Sequence, residues 1–290
     1  MFIISTDSGC DLPIELCKEK SIYAINMKYT IDSQTFVDKM EVDDTLEFYQ
    51  KMRDGAVPKT SQINVGEYID FWSELLEQGL PILHVTLGAK ISGSYANALS
   101  AKDIMCEKYP DCRIIVINST SASFAYGLLL LKIAEMRENG ASLEECEKWL
   151  IDNRLRVNTY YTTNDLKYLC RGGRVSRTSA VFGSALNINP ILHLDREGSL
   201  KIWQKARGSK ATFEKIVTAV GNVVENPEAQ TLYVCHCDCI DRAKMYGEAL
   251  VEKYGFKDVS YTLIGPTIGS HAGPGLVAMF FLGKERTPSK

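Results

Sequence analysis

No apolar run in this chain comes near the ~20 residues that a helix needs to cross a bilayer, so stable membrane insertion is not expected. Lysine and arginine never gather into a block, and a formal net charge of −3 is spread along the chain, so nucleic acid is not an expected partner. The opening residues Met1-Phe2-Ile3-Ile4-Ser5-Thr6-Asp7 lack the basic start and small-residue cleavage site of a secretory signal, which points to a soluble cytoplasmic protein. Internal repeats and low-complexity linkers are missing too. Nine cysteines, an odd number in a chain too large to need staples, fit reduced thiols better than a disulfide framework. The cluster Cys235-His236-Cys237-Asp238-Cys239 invites a metal reading. Alternation along an apolar strand turns its three cysteines to one face, however, and no Cys-x-x-Cys pair supplies further ligands, so no metal is expected.

What is present is a chain of 290 residues, 45% hydrophobic, enough for two filled cores and a cleft between them. Residues 2–5 read as a buried strand, and the turn Thr6-Asp7-Ser8-Gly9-Cys10-Asp11 leads to a helix whose start is marked by Asp11 and Pro13. The pattern recurs: strand 81–87 precedes helix 95–108, and strand 113–118 precedes helix 124–138, which favours parallel pairing. Asn64 with Glu67 and Ser142 with Glu145 are capping boxes at two further helix starts. After about residue 156 the texture changes. Residues 157–163 alternate polar and apolar, 189–207 read as a hairpin turning at Arg196-Glu197-Gly198-Ser199, and helices 210–224 and 242–253 alternate with strands 231–235 and 259–264. The expected fold is α/β with two domains: residues 1–157 with a largely parallel sheet, and residues 158–290, α+β, with a mainly antiparallel one.

Four polar segments, three of them glycine-bearing, stand at the ends of elements. Lys59-Thr60-Ser61-Gln62 precedes a capped helix, where hydroxyls and free N–H groups can face an anion or simply cap their own helix. Ser92-Gly93-Ser94 follows a strand, the place where an open α/β sheet presents ligands. Arg171-Gly172-Gly173-Arg174 sets two cations around a flexible pair, suited to a carboxylate or phosphate or to a solvated turn. The stretch Ile264-Gly265-Pro266-Thr267-Ile268-Gly269-Ser270-His271-Ala272-Gly273-Pro274-Gly275 reads as a rigid loop holding one histidine, with a tight strand connection as the bland alternative. Facing one another, the four would assemble hydroxyls, backbone N–H groups, an imidazole and guanidinium groups. The apolar run 128–131 and the small apolar stretch 180–186 beside them suit either core or an apolar tunnel.

Thr6-Asp7-Ser8, Thr60-Ser61-Gln62, Ile91-Ser92-Gly93-Ser94-Tyr95, Leu169-Cys170-Arg171-Gly172-Gly173-Arg174 and the histidine stretch, in this order and spacing, resemble the DegV family of bacterial lipid-binding proteins over nearly the whole chain. The resemblance implies two domains with one long-chain fatty acid such as palmitate, stearate or oleate between them, and no other cofactor. It further implies a binding subunit that presents the carboxylate to the ATP-binding subunit of a fatty acid kinase for membrane phospholipid metabolism. Carried onto this sequence, Thr60 and Ser92 bond the carboxylate, the amides near Gly93 and Ser94 assist, Ser61 lies close by, and His271 completes the headgroup site. Arg171 matches a position for phosphate contact or kinase docking. Ile63 stands where many relatives have proline. An enzyme reading remains: a serine hydrolase of a lipid or small ester with Ser92 or Ser94 as nucleophile and His271 as base. Against it, the Gly-x-Ser-x-Gly elbow and a third orienting residue are missing. A phosphotransferase in its own right lacks the phosphate-binding Gly-x-x-x-x-Gly-Lys-[Ser/Thr] loop.

Overall fold

The computed structural model describes residues 1–163, 165–175 and 188–287; the stretch 180–186, singled out above, lies outside them. The first half runs β1 (Ile3–Asp7), α1 (Ile14–Glu19), β2 (Ile22–Ile25), β3 (Lys28–Ile31), β4 (Gln34–Val37), α2 (Val42–Arg53), β5 (Lys59–Ser61), α3 (Val65–Leu76), β6 (Ile82–Thr86), α4 (Ser94–Lys108), β7 (Ile114–Asn118), α5 (Phe124–Glu138) and α6 (Leu143–Asn153). The second runs β8 (Val157–Thr162), α7 (Lys167–Arg171), β9 (Ile188–Leu194), β10 (Leu200–Arg207), α8 (Gly208–Val223), β11 (Thr231–His236), α9 (Ile240–Tyr254), β12 (Asp258–Leu263), α10 (Pro266–Ala272) and β13 (Val277–Leu282).

Strands β2-β1-β6-β7 form a wholly parallel sheet, as the alternation of strand and helix dictates. Both capping boxes are formed, with the side chains of Asn64 and Ser142 accepting from the N–H of Glu67 and Glu145 and their own backbone N–H groups donating to those glutamates' carboxylates. The second sheet has the order β10-β9-β8-β13-β11-β12 and is antiparallel except for the β11–β12 pair. It is covered on both faces. In β13, Ala278 and Phe280 join the main core, while Val277, Met279 and Phe281 join a second core against α8 and α9, so the period of two reads as an unbroken apolar run.

Helix α5 lies between the sheets. Nearly every residue of its first half is buried, Phe124 stacks on Tyr233 of β11 at 4.5 Å, and the Tyr126 hydroxyl donates to Asp7 Oδ1 at the end of β1 at 2.6 Å. Gly127 admits this packing, because a Cβ there would meet the Cys10 carbonyl oxygen at 2.8 Å.

Three sequence expectations are corrected. Lys59-Thr60-Ser61 is a strand, not a loop; it pairs with β3 in a small β4-β3-β5 sheet whose strands of three or four residues are too short to announce themselves by periodicity. The histidine stretch is not a loop along its length, since Pro266–Ala272 is helix α10, with Pro266 in its first turn and only Gly273 and Gly275 needing positive φ. Asp11 does not cap α1, whose start at Pro13 has no side-chain cap; Asp11 adopts φ 55° and turns its carboxylate across to α10.

Candidate functional site

The turns after β1, β6 and β7 open at the carboxyl ends of the parallel strands and face the second sheet. Into this gap α10 carries His271, whose Nε2 lies 2.7 Å from Thr60 Oγ1, a bond between residues 211 positions apart. Its other ring nitrogen, Nδ1, is buried without a hydrogen-bond partner among the described residues. Gly172, at the end of α7, is flush against it, since a Cβ there would stand 2.1 Å from Nδ1. Burial and the nearby Arg174 guanidinium push the His271 pKa down to about 4, so at neutral pH the imidazole is uncharged, with one donor and one acceptor nitrogen.

Residues of the first half fix α10. The first turn of a helix leaves N–H groups without intrahelical acceptors. The Gly265 N–H donates to Asp11 Oδ1 at 2.9 Å, and Thr267 donates to Asp38 Oδ2 through its N–H at 3.1 Å and its hydroxyl at 2.5 Å. The Tyr49 hydroxyl donates to the Ile264 carbonyl at 2.7 Å, and Gly269 gives it room, because a Cβ there would meet that hydroxyl oxygen at 2.5 Å. Asp7, Asp11 and Asp38 are all buried, which raises their carboxyl pKa values, that of Asp7 to about 6.

Ser92, Gly93 and Ser94 lie beside Gln62 and Ile63, the residues that follow β5, and are not among the residues that line the cavity beneath His271. Ser92 Oγ and Ser94 Oγ are 2.9 Å apart, Ser94 N–H donates to Ser92 Oγ at 3.2 Å, and Ile63 N–H donates to Ser94 Oγ at 3.2 Å. The last bond gives Ile63 a role that proline, lacking the N–H, cannot fill. Gly93 lies against the Gln62 side chain, a Cβ there falling 2.1 Å from Gln62 Oε1. Thr60 is half-buried, whereas Ser61 is exposed beside it. Neither Ser92 nor Ser94 bonds the imidazole. Among the described residues the Ser–His hydrogen bond is Ser5 Oγ to His84 Nδ1 at 2.9 Å, sealed in the core where burial pushes the His84 pKa down to about 3.

Beneath His271 runs a cavity between the two sheets. It encloses about 580 Å³ of atom-free space, open mouth included. Ile91, Leu169, Leu192, Leu194, Ile268 and Leu276 are among the apolar residues of the wall; Ser123, Tyr161, Arg174 and His271 are its polar members among the described residues. The cation in that wall is Arg174, which the sequence reading did not select. Its guanidinium donates to the Ile91 carbonyl at 3.1 and 3.3 Å and is held partly buried. Arg171 points outward, exposed, 5.8 Å from the Tyr168 ring. The two arginines flank the same Gly-Gly pair, so sequence offers no means of ranking them. Asp38 and Tyr49 were equally unread, since neither stands in a motif. Among the described residues no group of three His, Cys, Asp or Glu side chains is placed to hold a metal, and Cys235 and Cys237 are buried in the main core.

Two α/β halves closing on an apolar cavity, with a buried histidine and an arginine in its wall, define the class of this protein. It belongs to the DegV family, whose model, described as uncharacterised protein, matches residues 1–284. A DegV domain-containing protein of Clostridium perfringens is 35% identical over 99% of each chain. Among solved structures, a DegV lipid binding protein of Thermotoga maritima superposes with TM-score 0.86 at 28% identity, covering 99% of this chain and 100% of that one. A second Thermotoga maritima protein, whose structure reveals a fatty acid binding function, gives TM-score 0.83 at 28% identity over 98% and 99%. A fatty acid binding DegV family protein of Thermus thermophilus gives 0.85 at 26% identity over 98% and 99%.

Proposed function

We propose that this protein binds one long-chain fatty acid between units 1–157 and 158–290 and presents its carboxylate to a separate ATP-binding kinase for acyl-phosphate formation. The observation that carries the reading is the apolar cavity with two polar groups in its wall, the Arg174 cation and His271, whose imidazole is bonded to Thr60. Each buried methylene contributes about 0.8 kcal/mol, so the chain of palmitate supplies on the order of 11 kcal/mol against the cost of ordering it, and longer chains more. The carboxylate is the costly end, because an ion left in hydrocarbon loses its hydration. Here it meets the hydroxyls of Thr60, Ser92 and Ser94, amides near Gly93 and Ser94, the unpartnered nitrogen of His271 and the positive charge of Arg174. Charge-assisted hydrogen bonds of this kind are about twice as strong as neutral ones. Arg171, exposed at the rim, is left for the kinase or the transferred phosphate.

Mass spectrometry of an organic extract, with native mass spectrometry to count bound molecules, tests the first half of the reading. One fatty acid per chain is expected; a protein that is empty and takes up none of palmitate, stearate or oleate refutes it. The second half is tested by Arg171→Ala, expected to keep binding and lose phosphorylation by the partner, with equal loss of both as the contrary result.

A further inference from the structure

Cys106 and Cys112 form a pair that the lipid site does not use. Cys106 lies near the end of α4 and Cys112 just before β7. The turn between them is held by Tyr109 N–H donating to the Met105 carbonyl at 2.8 Å and Cys112 N–H donating to the Tyr109 carbonyl at 2.9 Å. That turn aims the Cys112 thiol at the Cys106 sulfur, 3.6 Å away. Both are part-exposed, whereas Cys10, Cys17, Cys146, Cys235 and Cys237 are buried and the Cys239 thiol donates to the Leu276 carbonyl at 3.4 Å. Free cysteine is ordinarily among the most buried residue types, so two reachable thiols in contact are a distinct feature of this fold. Bonded sulfurs stand about 2.05 Å apart, so the pair needs an approach of about 1.5 Å, the scale of side-chain rotation.

We propose that Cys106 and Cys112 are a reversible dithiol–disulfide site whose oxidant is hydrogen peroxide. The Cys106 thiolate attacks one peroxide oxygen; the O–O bond breaks, hydroxide leaves and a sulfenic acid forms. The Cys112 sulfur then attacks the Cys106 sulfur: the S–S bond forms, the S–O bond breaks, and the Cys112 proton leaves with the hydroxyl group as water. Two thiols and one peroxide give one disulfide and two waters, the sulfurs losing the two electrons the peroxide gains. Burial and the Cys106 sulfur push the Cys112 pKa up to about 11, so at neutral pH Cys112 keeps its proton, in keeping with its place as the second thiol of the sequence. The bond would fasten the far end of α4 to the foot of β7, about 18 Å along the helix from Ser94, and the proposal is independent of what the cavity binds.

The test is treatment of the full chain with stoichiometric hydrogen peroxide, alkylation of remaining thiols, intact mass measurement and peptide mapping. A loss of two hydrogens per chain is expected, in a linked peptide containing both cysteines, reversed by dithiothreitol and abolished in Cys106→Ser and in Cys112→Ser. Recovery of both cysteines alkylated after other thiols have been oxidised, or an undiminished loss in either variant, overturns it.

Discussion

Gly172→Ala isolates the role of His271 without touching that residue. Gly172 has φ −72° and ψ −8°, ordinary helical values that alanine adopts freely, so the backbone does not resist the change. The resistance is steric: the new methyl would lie 2.1 Å from His271 Nδ1, where ordinary contact begins at 3.4 Å. The imidazole must therefore move by more than 1 Å. Helix α10 cannot carry the ring away, because Asp11, Asp38 and Tyr49 hold it. The side chain swings instead, breaking the 2.7 Å bond to Thr60. If His271 donates to the bound carboxylate, losing that charged hydrogen bond costs about 1.5–3 kcal/mol, or roughly 10- to 150-fold in Kd. Isothermal titration calorimetry with oleate reads this directly. The double variant Gly172→Ala/His271→Ala separates clash from other damage. With the imidazole gone the methyl has room, so the double variant should bind no worse than His271→Ala and be about 0.4–1 kcal/mol more stable, because alanine restricts the unfolded chain. Wild-type affinity in Gly172→Ala, or losses that simply add in the double variant, would falsify the argument.

Thr60→Val keeps the shape of the side chain but leaves His271 Nε2 without its partner, at a cost of about 1–3 kcal/mol in stability together with weaker fatty acid binding; urea denaturation and calorimetry check the two, and an unchanged midpoint would show that the bond carries no weight. Leu200→Trp fills the cavity from β10, so the fatty acid co-purifying with the protein should fall below about one-tenth of wild type while circular dichroism is unchanged; full occupancy would place the chain elsewhere. Asp7 supplies a pH test. Its carboxyl pKa is raised from 3.8 to about 6 by burial, so the folded state holds its proton more tightly than the unfolded state does. The contribution of Asp7 is then fully present below pH 3.8 and is lost as the pH rises through 6, a change of roughly 3 kcal/mol. The stability of Asp7→Asn relative to wild type should therefore improve by about 2.4 kcal/mol of that between pH 4 and 7, whatever constant penalty follows from disturbing the donors Leu87 and Gly9. Parallel stability curves would remove Asp7 as a titrating group.

Much of this architecture is written locally, and those parts are legible in the sequence. Alternating strand and helix gives the parallel sheet, the Asn64/Glu67 and Ser142/Glu145 pairs close their capping boxes, and Arg196-Glu197-Gly198-Ser199 turns the β9–β10 hairpin. Each depends on groups within a few residues of one another, so spacing alone specifies it. The four polar segments were legible as well, because glycine and hydroxyl residues at element ends leave a mark that core residues do not.

What tertiary structure decided are the meetings of groups far apart in the chain. Thr60 finds His271 across 211 residues, and Asp11 caps Gly265 across 254, bonds for which no local pattern exists. The same contacts make a helix of a proline- and glycine-rich stretch: Asp11 and Asp38 satisfy its free N–H groups, and Gly269, unfavourable by local propensity, is needed for the close approach of Tyr49. The choice of Arg174 over Arg171 for the cavity wall, and the shape of the cavity itself, follow from how α7 and the two sheets pack, a property of three elements at once that spacing within any one of them does not contain.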